Sequence, residues 1–162
     1  MAHTSTAIVA SGCFWGTQYY MKRIPGVGDC HAGYTGGHVA HPSYEQVCGQ
    51  ETGHYEAVRI TYDSTVTSYE AILKMFFETH DPTQWDGQGP DLGPQYRSAI
   101  FVANTTERAI AEKLITTLKG KGMDIATRIL DQAEFYIAED YHQNYYDAKG
   151  GAPYCHAYKP LF

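Results

Sequence analysis

A strand followed by an amphipathic helix, in the middle of the chain, constrains the fold more than any other feature of the sequence. Residues 55–63 alternate between two faces, one of which carries Glu56 among apolar side chains, and this pattern predicts a strand. Residues 68–79 repeat apolar side chains at helical spacing, and Thr67 with Glu70 predicts a capping box at the helix start. Because such a helix buries its apolar face on a sheet, we expect a layer of helices against a layer of strands.

The rest of the chain continues this interleaving of strands and helices. Asn104, followed by Glu107, predicts the cap of a helix that ends at the Gly120-Lys121-Gly122 run. Other strands are predicted at residues 6–10, 27–34, 96–103, 127–130 and 134–137, other helices at 13–22 and 139–149, and a loop at 81–94. A chain of 162 residues without repeats or linkers fits one domain. We predict a single α/β or α+β two-layer sandwich over residues 1–162, with residues 150–162 as a mobile coil tail, although the pattern does not give the strand order.

The composition argues against several classes of partner. The net charge is −6 and no cluster of Lys and Arg occurs, which disfavours nucleic acid or an anionic membrane surface. No stretch approaches the ~20 apolar residues of a membrane span, and the first residues lack the features of a secretion signal. We therefore expect a cytoplasmic protein, with a removed leader left open.

The four cysteines point to thiol chemistry rather than to a disulfide scaffold, because they are few and widely spaced, at positions 13, 30, 48 and 155. Cys13 stands where a predicted strand turns into a predicted helix, and the unpaired amides and dipole of a helix start favour the thiolate. Phe14 and Trp15 beside it offer an apolar surface suited to a small group such as an S-methyl. Taken alone, this pattern fits a buried cysteine beside two core aromatics equally well.

The run Gly12-Cys13-Phe14-Trp15-Gly16 resembles the active-site motif of the A-type peptide methionine sulfoxide reductases. Further blocks resemble this family, in its order, from about residue 7 to residue 156: AGYTGG at 32–37, PSYEQVC at 42–48, GHYEAV at 53–58, HDPTQ at 80–84, Asp91, QYRS at 95–98 and EDYHQ at 139–143. The resemblance implies thiol-dependent reduction of the S-epimer of methionine sulfoxide, protein-bound or free, with thioredoxin as reductant and neither cofactor nor metal. We accordingly expect a ferredoxin-like core with a mixed sheet, in a monomer.

The resemblance also assigns the reacting groups. Cys13 is the nucleophile, while Tyr44, Tyr96 and Glu56 hold the sulfoxide oxygen. A thiolate can displace at a sulfoxide sulfur only if the departing oxygen is protonated, and Glu56 is the natural proton source. Burial on the apolar face of its strand should raise the pKa of Glu56 towards the working pH. Residue statistics alone would favour an exposed or ion-paired glutamate and two ordinary core tyrosines.

Four further positions match the family's pocket. Phe14 and Trp15 correspond to the residues that hold the substrate methyl group. Asp91 and His142 match polar positions that organise water and the substrate backbone. From the residues alone, a solvated loop aspartate and a helix-surface histidine fit the last two positions equally well.

Cys155, in the tail, resembles the family's C-terminal resolving cysteine. A sulfenic acid condenses readily with a second thiol, so the resemblance implies one Cys13–Cys155 disulfide that thioredoxin reduces. Cys30 and Cys48 are interpreted as buried structural thiols. The chain departs from the family at Gln18, where Glu is common, at residues 85–87, and at Ala152-Pro153, which bears on loop shape and substrate preference.

Two other classes of function stay open. A zinc-binding or structural module is conceivable because four cysteines coexist with eight histidines, but no C-x-x-C or H-x-x-H pair gives the usual ligand spacing. The other class is a catalytically silent binder of oxidised methionine. Cys13, Glu56 and the two tyrosines argue against it, because a binder has no need of a nucleophile.

Overall fold

The computed structural model describes residues 3–151, 153 and 156–162. Its strands are β1 (Thr4–Ser11), β2 (Val27–Thr35), β3 (Tyr55–Asp63), β4 (Gly87–Gln88), β5 (Asp91–Leu92), β6 (Ser98–Val102), β7 (Arg128–Asp131) and β8 (Phe135–Ile137). Its helices are α1 (Phe14–Met21), α2 (Tyr44–Cys48), α3 (Tyr69–Glu78), α4 (Thr105–Gly120) and α5 (Tyr145–Lys149), with 3₁₀ turns at Pro94–Tyr96 and Asp140–His142. No helix within these residues is long and apolar enough to cross a membrane.

Six strands form one mixed sheet in the order β7-β6-β1-β3-β2-β8. The four central strands pair antiparallel with one another, β7 runs parallel to β6, and β8 runs antiparallel to β2. Helix α1 connects β1 to β2, and α3 connects β3 to β6, which is the βαββαβ arrangement of a ferredoxin-like core. The predicted α/β sandwich with a mixed sheet is therefore confirmed.

The strand at the centre of the sheet is buried on both faces. Along β1, Ala7 and Val9 join the cluster that contains the apolar faces of α1, α3 and α4, while Ile8 and Ala10 join a smaller cluster on the other face. Ile72, Leu73, Phe76 and Phe77 of α3 are fully buried, as the spacing in the sequence predicts. One face of the sheet thus carries the helical layer, and α1, which begins directly after Cys13, lies within it.

The helix caps agree with the sequence prediction at α4 and differ from it at α3. The Asn104 side chain accepts a hydrogen bond from the Glu107 amide at 2.9 Å, as expected. At α3 the cap is Ser68, whose hydroxyl accepts from the Ala71 amide at 3.0 Å, and not Thr67. The prediction for α3 was therefore displaced by one residue.

Three other elements differ from the prediction. The strand expected from residue 96 begins at Ser98, because Pro94–Tyr96 forms a 3₁₀ turn. The helix expected over residues 139–149 is interrupted, since Asn144 adopts a left-handed conformation (φ 53°) between the second 3₁₀ turn and α5. Helix α2 was not predicted, although Ser43 and Gln46 form its capping box.

The described end of the tail, residues 156–162, contains neither helix nor strand and is held at the end of α3. The Lys159 amide donates to the Glu78 carbonyl at 2.7 Å, and the Leu161 amide donates to Glu78 Oε2 at 2.8 Å. Cys155 lies outside the described residues. The chain segment that follows this cysteine is therefore fixed to the helical layer.

The close contact between β2 and β8 depends on a glycine. A Cβ at Gly33 would lie 2.5 Å from the Phe135 ring and from the Tyr136 carbonyl oxygen. We expect Gly33→Ala to lower the free energy of unfolding by about 1–3 kcal/mol, because strand β8 must shift to make room. Urea denaturation monitored by circular dichroism measures this change.

Gly28, in the same strand, provides the matched control. A Cβ there would have Thr61 O as its nearest neighbour, at 3.8 Å, which is ordinary contact. Gly28→Ala should change the free energy of unfolding by about 0.5 kcal/mol or less. Equal effects at Gly28 and Gly33 would contradict the assignment of the cost to the contact with β8.

Candidate active site

Cys13 lies at the junction of β1 and α1, as the sequence predicts. It is the N-cap residue of α1, with φ −56° and ψ 121°, and its carbonyl accepts from the amides of Gly16 and Thr17. The residue is only 9 % exposed. Gly12 adopts φ +100°, a backbone conformation that favours glycine, and makes the turn between the strand and the helix. The Cys13 thiol is thus placed at the positive end of a helix dipole, which favours its thiolate.

Glu56, at the start of β3, contacts the first turn of α1. The Phe14 amide donates to Glu56 Oε1 at 3.2 Å, while Oε2 is buried without a hydrogen-bond partner among the described residues. Burial raises the pKa of Glu56 to about 8, against the lowering effect of the Phe14 amide, and the charge of Asp91 raises it further. With 1 % exposure and no ion pair to any described residue, Glu56 is not the exposed strand carboxylate that residue statistics favour. At neutral pH its carboxyl group therefore holds a proton beside the residue that follows Cys13.

Tyr44 and Tyr96 are half-buried and lie within the electrostatic influence of Glu56. Burial, followed for Tyr44 by a hydrogen bond to Cys48 and for both by the charge of Glu56, raises the pKa of each tyrosine above its ordinary value. Both hydroxyl groups therefore stay protonated at neutral pH and can donate hydrogen bonds. The contact between Cys48 and Tyr44 was not predicted.

Glu139 fixes the backbone of Tyr44, a role that the sequence alone did not reveal. Its carboxylate accepts from the Tyr34 hydroxyl at 2.9 Å and from the Tyr44 amide at 3.0 Å. Although burial acts to raise it, these hydrogen bonds lower the pKa of Glu139. Tyr34 in turn lies opposite Glu56 in the antiparallel register of β2 and β3. A continuous set of contacts thus joins the buried carboxyl group to the start of α2.

His142 is a buried residue that contacts several aromatic rings, and not a helix-surface residue. Trp15 Nε1 donates to His142 Nδ1 at 3.0 Å, so the neutral ring carries its proton on Nε2. Burial lowers the pKa of His142, which keeps the ring neutral. Nε2 is buried and has no hydrogen-bond partner within the part of the chain that the structure describes. His142 therefore presents a donor that is available to a bound molecule.

Aromatic rings surround this histidine. The ring centroids of Phe14 and Tyr44 lie 5.2 and 4.4 Å from that of His142. Trp15 stacks on Tyr145 at a centroid distance of 3.7 Å and an interplanar angle of 6°. Phe14 is fully buried, whereas Trp15 is partly exposed. Of the two aromatic residues next to Cys13, only Trp15 therefore offers surface to a ligand.

Asp91 belongs to a short hairpin formed by β4 and β5, within the segment that was predicted as a loop. Its negative charge acts on Glu56, on Tyr96 and on His156, which places it near all three groups. The side chain is half-buried. Asp91 is thus close to the candidate site rather than fully solvated.

Cys30 and Gln18 lie outside this cluster of residues, whereas Cys48 adjoins it through its hydrogen bond with Tyr44. Burial raises the pKa of Cys30 to about 12, and burial likewise raises the pKa of Cys48. Gln18 is buried, donates to the Cys30 carbonyl at 2.6 Å and accepts from the Asn144 amide at 2.8 Å. An ionised glutamate at residue 18 could not donate to the Cys30 carbonyl. The glutamine that departs from the family motif here can both donate to this carbonyl and accept from the Asn144 amide.

The structure brings together eight of the nine predicted site residues, by direct contact or by electrostatic influence. Cys13, Phe14, Trp15, Tyr44, Glu56 and His142 are linked through the contacts given above, and Tyr96 and Asp91 through charge. Cys155, the ninth, is outside the described residues. Among the described residues, no three His, Cys, Asp or Glu side chains are arranged to hold a metal ion.

Comparison with known proteins gives a consistent result. A family model described as peptide methionine sulfoxide reductase matches residues 5–161. Peptide methionine sulfoxide reductase MsrA 1 of Rhodopirellula baltica is 50% identical over 152 residues, covering 93% of this chain and 79% of the relative. The reduced form of Mxr1 from Saccharomyces cerevisiae superposes with a TM-score of 0.89 at 32% identity, covering 96% of this chain and 92% of Mxr1.

A second structure of the yeast protein, in complex with Trx2, shares the fold. Its TM-score is 0.64 at 22% identity, with coverage of 96% of this chain and 90% of that one. Because the family model spans nearly the whole chain, the chain belongs to the peptide methionine sulfoxide reductase family. More particularly, it is a peptide methionine sulfoxide reductase of the A type, because relatives that are 50% and 47% identical to it are of this type.

The raised pKa of Glu56 predicts a pH-dependent stability. Between its ordinary pKa of 4.5 and its folded value of about 8, the folded protein binds a proton that the unfolded chain has lost. Stability should therefore fall as the pH rises through this window. Relative to Glu56→Gln, the wild-type free energy of unfolding should decrease by at most about 1.4 kcal/mol per pH unit. Urea denaturation at pH values from 5 to 8 measures the difference.

Glu112→Gln, at an exposed position on α4, is the control for the loss of a carboxylate. This variant should follow the wild-type pH dependence throughout. If the difference between wild type and Glu56→Gln stayed constant over the whole range, Glu56 would not carry a raised pKa.

Proposed function

We propose that this enzyme reduces the S-epimer of methionine sulfoxide, in proteins and as the free amino acid, and so repairs oxidised proteins in the cytoplasm. Cys13 is the nucleophile, Cys155 resolves the resulting sulfenic acid, and thioredoxin restores the thiols without any bound cofactor. The observation that carries the proposal is the buried Glu56 carboxyl group, hydrogen-bonded to the Phe14 amide directly after Cys13. It supplies a proton donor beside a thiol at a helix N-terminus.

In the first step the Cys13 thiolate attacks the sulfoxide sulfur while Glu56 protonates the oxygen. The attack forms a bond between the two sulfurs. That bond breaks as the hydroxyl group passes from the substrate sulfur to the Cys13 sulfur, which leaves a sulfenic acid on Cys13. The substrate sulfur is reduced by two electrons to the thioether, and the Cys13 sulfur is oxidised by two electrons. The hydroxyl groups of Tyr44 and Tyr96 donate to the oxygen as charge develops on it, which lowers the barrier.

The aromatic residues and the buried histidine would orient the substrate. The partly exposed face of Trp15 packs against the methyl group, and Phe14 supports the pocket from below because its ring has no exposed surface. The Nε2 proton of His142 donates to the substrate backbone or to an ordered water molecule. Asp91, whose charge acts on both Glu56 and Tyr96, contributes an acceptor near the oxygen site. These proposed roles follow from the exposure of each ring and from the hydrogen-bonding groups that each residue offers.

In the second step the Cys155 thiol attacks the Cys13 sulfenic acid. The sulfur–sulfur bond forms and one water molecule leaves, carrying the oxygen that came from the substrate. Reduced thioredoxin then exchanges with this disulfide and is itself oxidised. The family resemblance supports this step, as does the existence of a complex between the related Mxr1 and Trx2.

An assay with separated sulfoxide epimers tests the proposed reaction. The enzyme with dithiothreitol should convert the S-epimer of methionine sulfoxide to methionine and leave the R-epimer unreacted. Without reductant, one methionine should form per enzyme, and mass analysis should find a disulfide between Cys13 and Cys155. Equal reduction of both epimers, or a different pair of oxidised cysteines, would contradict the proposal.

Two variants separate the roles of the cysteines in this assay. Cys13→Ser should abolish reduction with either reductant, because no nucleophile is left. Cys155→Ser should retain turnover with dithiothreitol, which reduces the sulfenic acid directly, and lose turnover with thioredoxin. Normal recycling of Cys155→Ser by thioredoxin would remove Cys155 as the resolving residue.

Replacement of the proton donor should slow the chemical step. We expect Glu56→Gln to lower the single-turnover rate of sulfenic acid formation by about 10²–10⁴-fold, the usual contribution of a general acid. Rapid-quench measurement of the methionine released gives this rate. Substrate affinity, measured in Cys13→Ser with and without Glu56→Gln, should change little, and an unchanged rate would show that Glu56 is not the acid.

A further inference from the structure

His156, the residue after Cys155, packs against the start of α1. It is 3 % exposed, and its Nε2 donates to the Ser11 carbonyl oxygen at 2.7 Å. The same nitrogen lies 3.4 Å from the Ser11 hydroxyl. Ser11 is the last residue of β1, two positions before Cys13. The histidine is therefore attached to the backbone that carries the nucleophile.

The imidazole ring occupies a slot between the two glycines of the Gly12-Cys13-Phe14-Trp15-Gly16 run. A Cβ at Gly16 would overlap Nδ1 of the ring and lie 2.8 Å from its Cγ and Cε1 atoms. A Cβ at Gly12 would lie 3.7 Å from Cε1, which is ordinary contact. At residue 16 only glycine leaves this space open, and the position is helical, where glycine is otherwise disfavoured.

Contacts on the C-terminal side hold the backbone of this segment as well. The Tyr20 hydroxyl donates to the His156 carbonyl oxygen at 3.4 Å, and the Lys159 amide is bound to Glu78. Burial lowers the pKa of His156 to about 4, so the ring is neutral at physiological pH and keeps the Nε2 proton that it donates. The anchor therefore persists under the conditions in which the enzyme works.

We propose that His156 is a positioning residue for disulfide formation: its ring, held between Gly12 and Gly16, fixes the residue next to the proposed resolving thiol beside the start of α1. The inference rests on the resolving role of Cys155 proposed above. Adjacent Cα atoms are about 3.8 Å apart, and a disulfide requires Cα atoms about 4.4–6.8 Å apart, so fixing residue 156 restricts the search of the thiol. His156 takes no proton in the step, which joins the sulfenic acid and the thiol and releases water.

Because the anchor acts on the second step, its loss should separate the two steps in a single turnover without reductant. In His156→Ala the rate of disulfide formation, relative to the rate of methionine release in the same reaction, should fall about tenfold or more. The Cys13 sulfenic acid should accumulate, and trapping with dimedone followed by mass analysis measures it. A ratio within twofold of the wild-type ratio would overturn the proposal.

His156→Gln distinguishes the anchor from a general packing role. The glutamine amide nitrogen is as many bonds from Cα as histidine Nε2 and can donate to the Ser11 carbonyl. We expect this variant to recover most of the disulfide-forming rate that His156→Ala loses. If His156→Gln and His156→Ala were equally slow, the hydrogen bond to Ser11 would not be the anchor, and the proposal would fail.

Gly16→Ala tests the slot from the opposite side. Its methyl group would take the place of the ring, so this variant should also slow disulfide formation relative to methionine release. In the His156→Ala background the slot has room for the methyl group, so Gly16→Ala should cause little further change. Effects that multiply fully in the double variant would show that the two residues act separately and would overturn the inference.

Cys155→Ser separates a failure of this inference from a failure of the proposed function. If a disulfide formed at the wild-type rate in Cys155→Ser, the resolving assignment itself would be wrong. If Cys155→Ser blocked the disulfide while His156→Ala left the rate ratio unchanged, only the anchoring role would be wrong. Thermal unfolding of every variant confirms that each is compared in its folded state.

Discussion

The hydrogen bond from the Phe14 amide to Glu56 is the contact on which the arrangement of the site depends. Strands β1 and β3 are antiparallel neighbours, and their register pairs Val9 with Val58, so the end of β1 lies beside the start of β3. The helix that begins after Cys13 is thereby directed at a carboxyl group from a segment more than forty residues away in sequence. Sheet topology, rather than local sequence, brings Cys13 and Glu56 together.

Two buried polar atoms near the reacting centre have no partner among the described residues. They are Oε2 of Glu56 and Nε2 of His142. An unsatisfied buried polar atom costs about 1–3 kcal/mol, so such atoms are uncommon unless something else uses them. The surrounding structure compensates with well-satisfied groups, such as the Glu139 carboxylate between Tyr34 and Tyr44. The groups that support the site thus have their hydrogen bonds satisfied. Oε2 of Glu56 and Nε2 of His142, in contrast, can each still form one.

Local patterns in the sequence were sufficient for the longer strands and helices of the fold, but not for α2, for the β4–β5 hairpin or for the break before α5. The alternation in β3, the spacing in α3 and the Asn104 cap of α4 depend on residues close in sequence, and all three were predicted. The break at Asn144 was missed because a left-handed residue has no obligatory signature. The contacts of Glu139 and His156 were missed because their partners are distant in sequence. The grouping of the candidate residues came from the family motif, since no local rule relates residue 13 to residue 56.

The burial of Cys30 protects this thiol from oxidation and from disulfide exchange. A thiol whose pKa is raised to about 12 is almost wholly protonated at physiological pH, and only the thiolate reacts readily with oxidants and disulfides. Cys30 therefore exchanges very slowly with any disulfide formed elsewhere in the chain. Cys30, in β2, is thereby kept from reacting quickly with an oxidant or a disulfide at the start of α1.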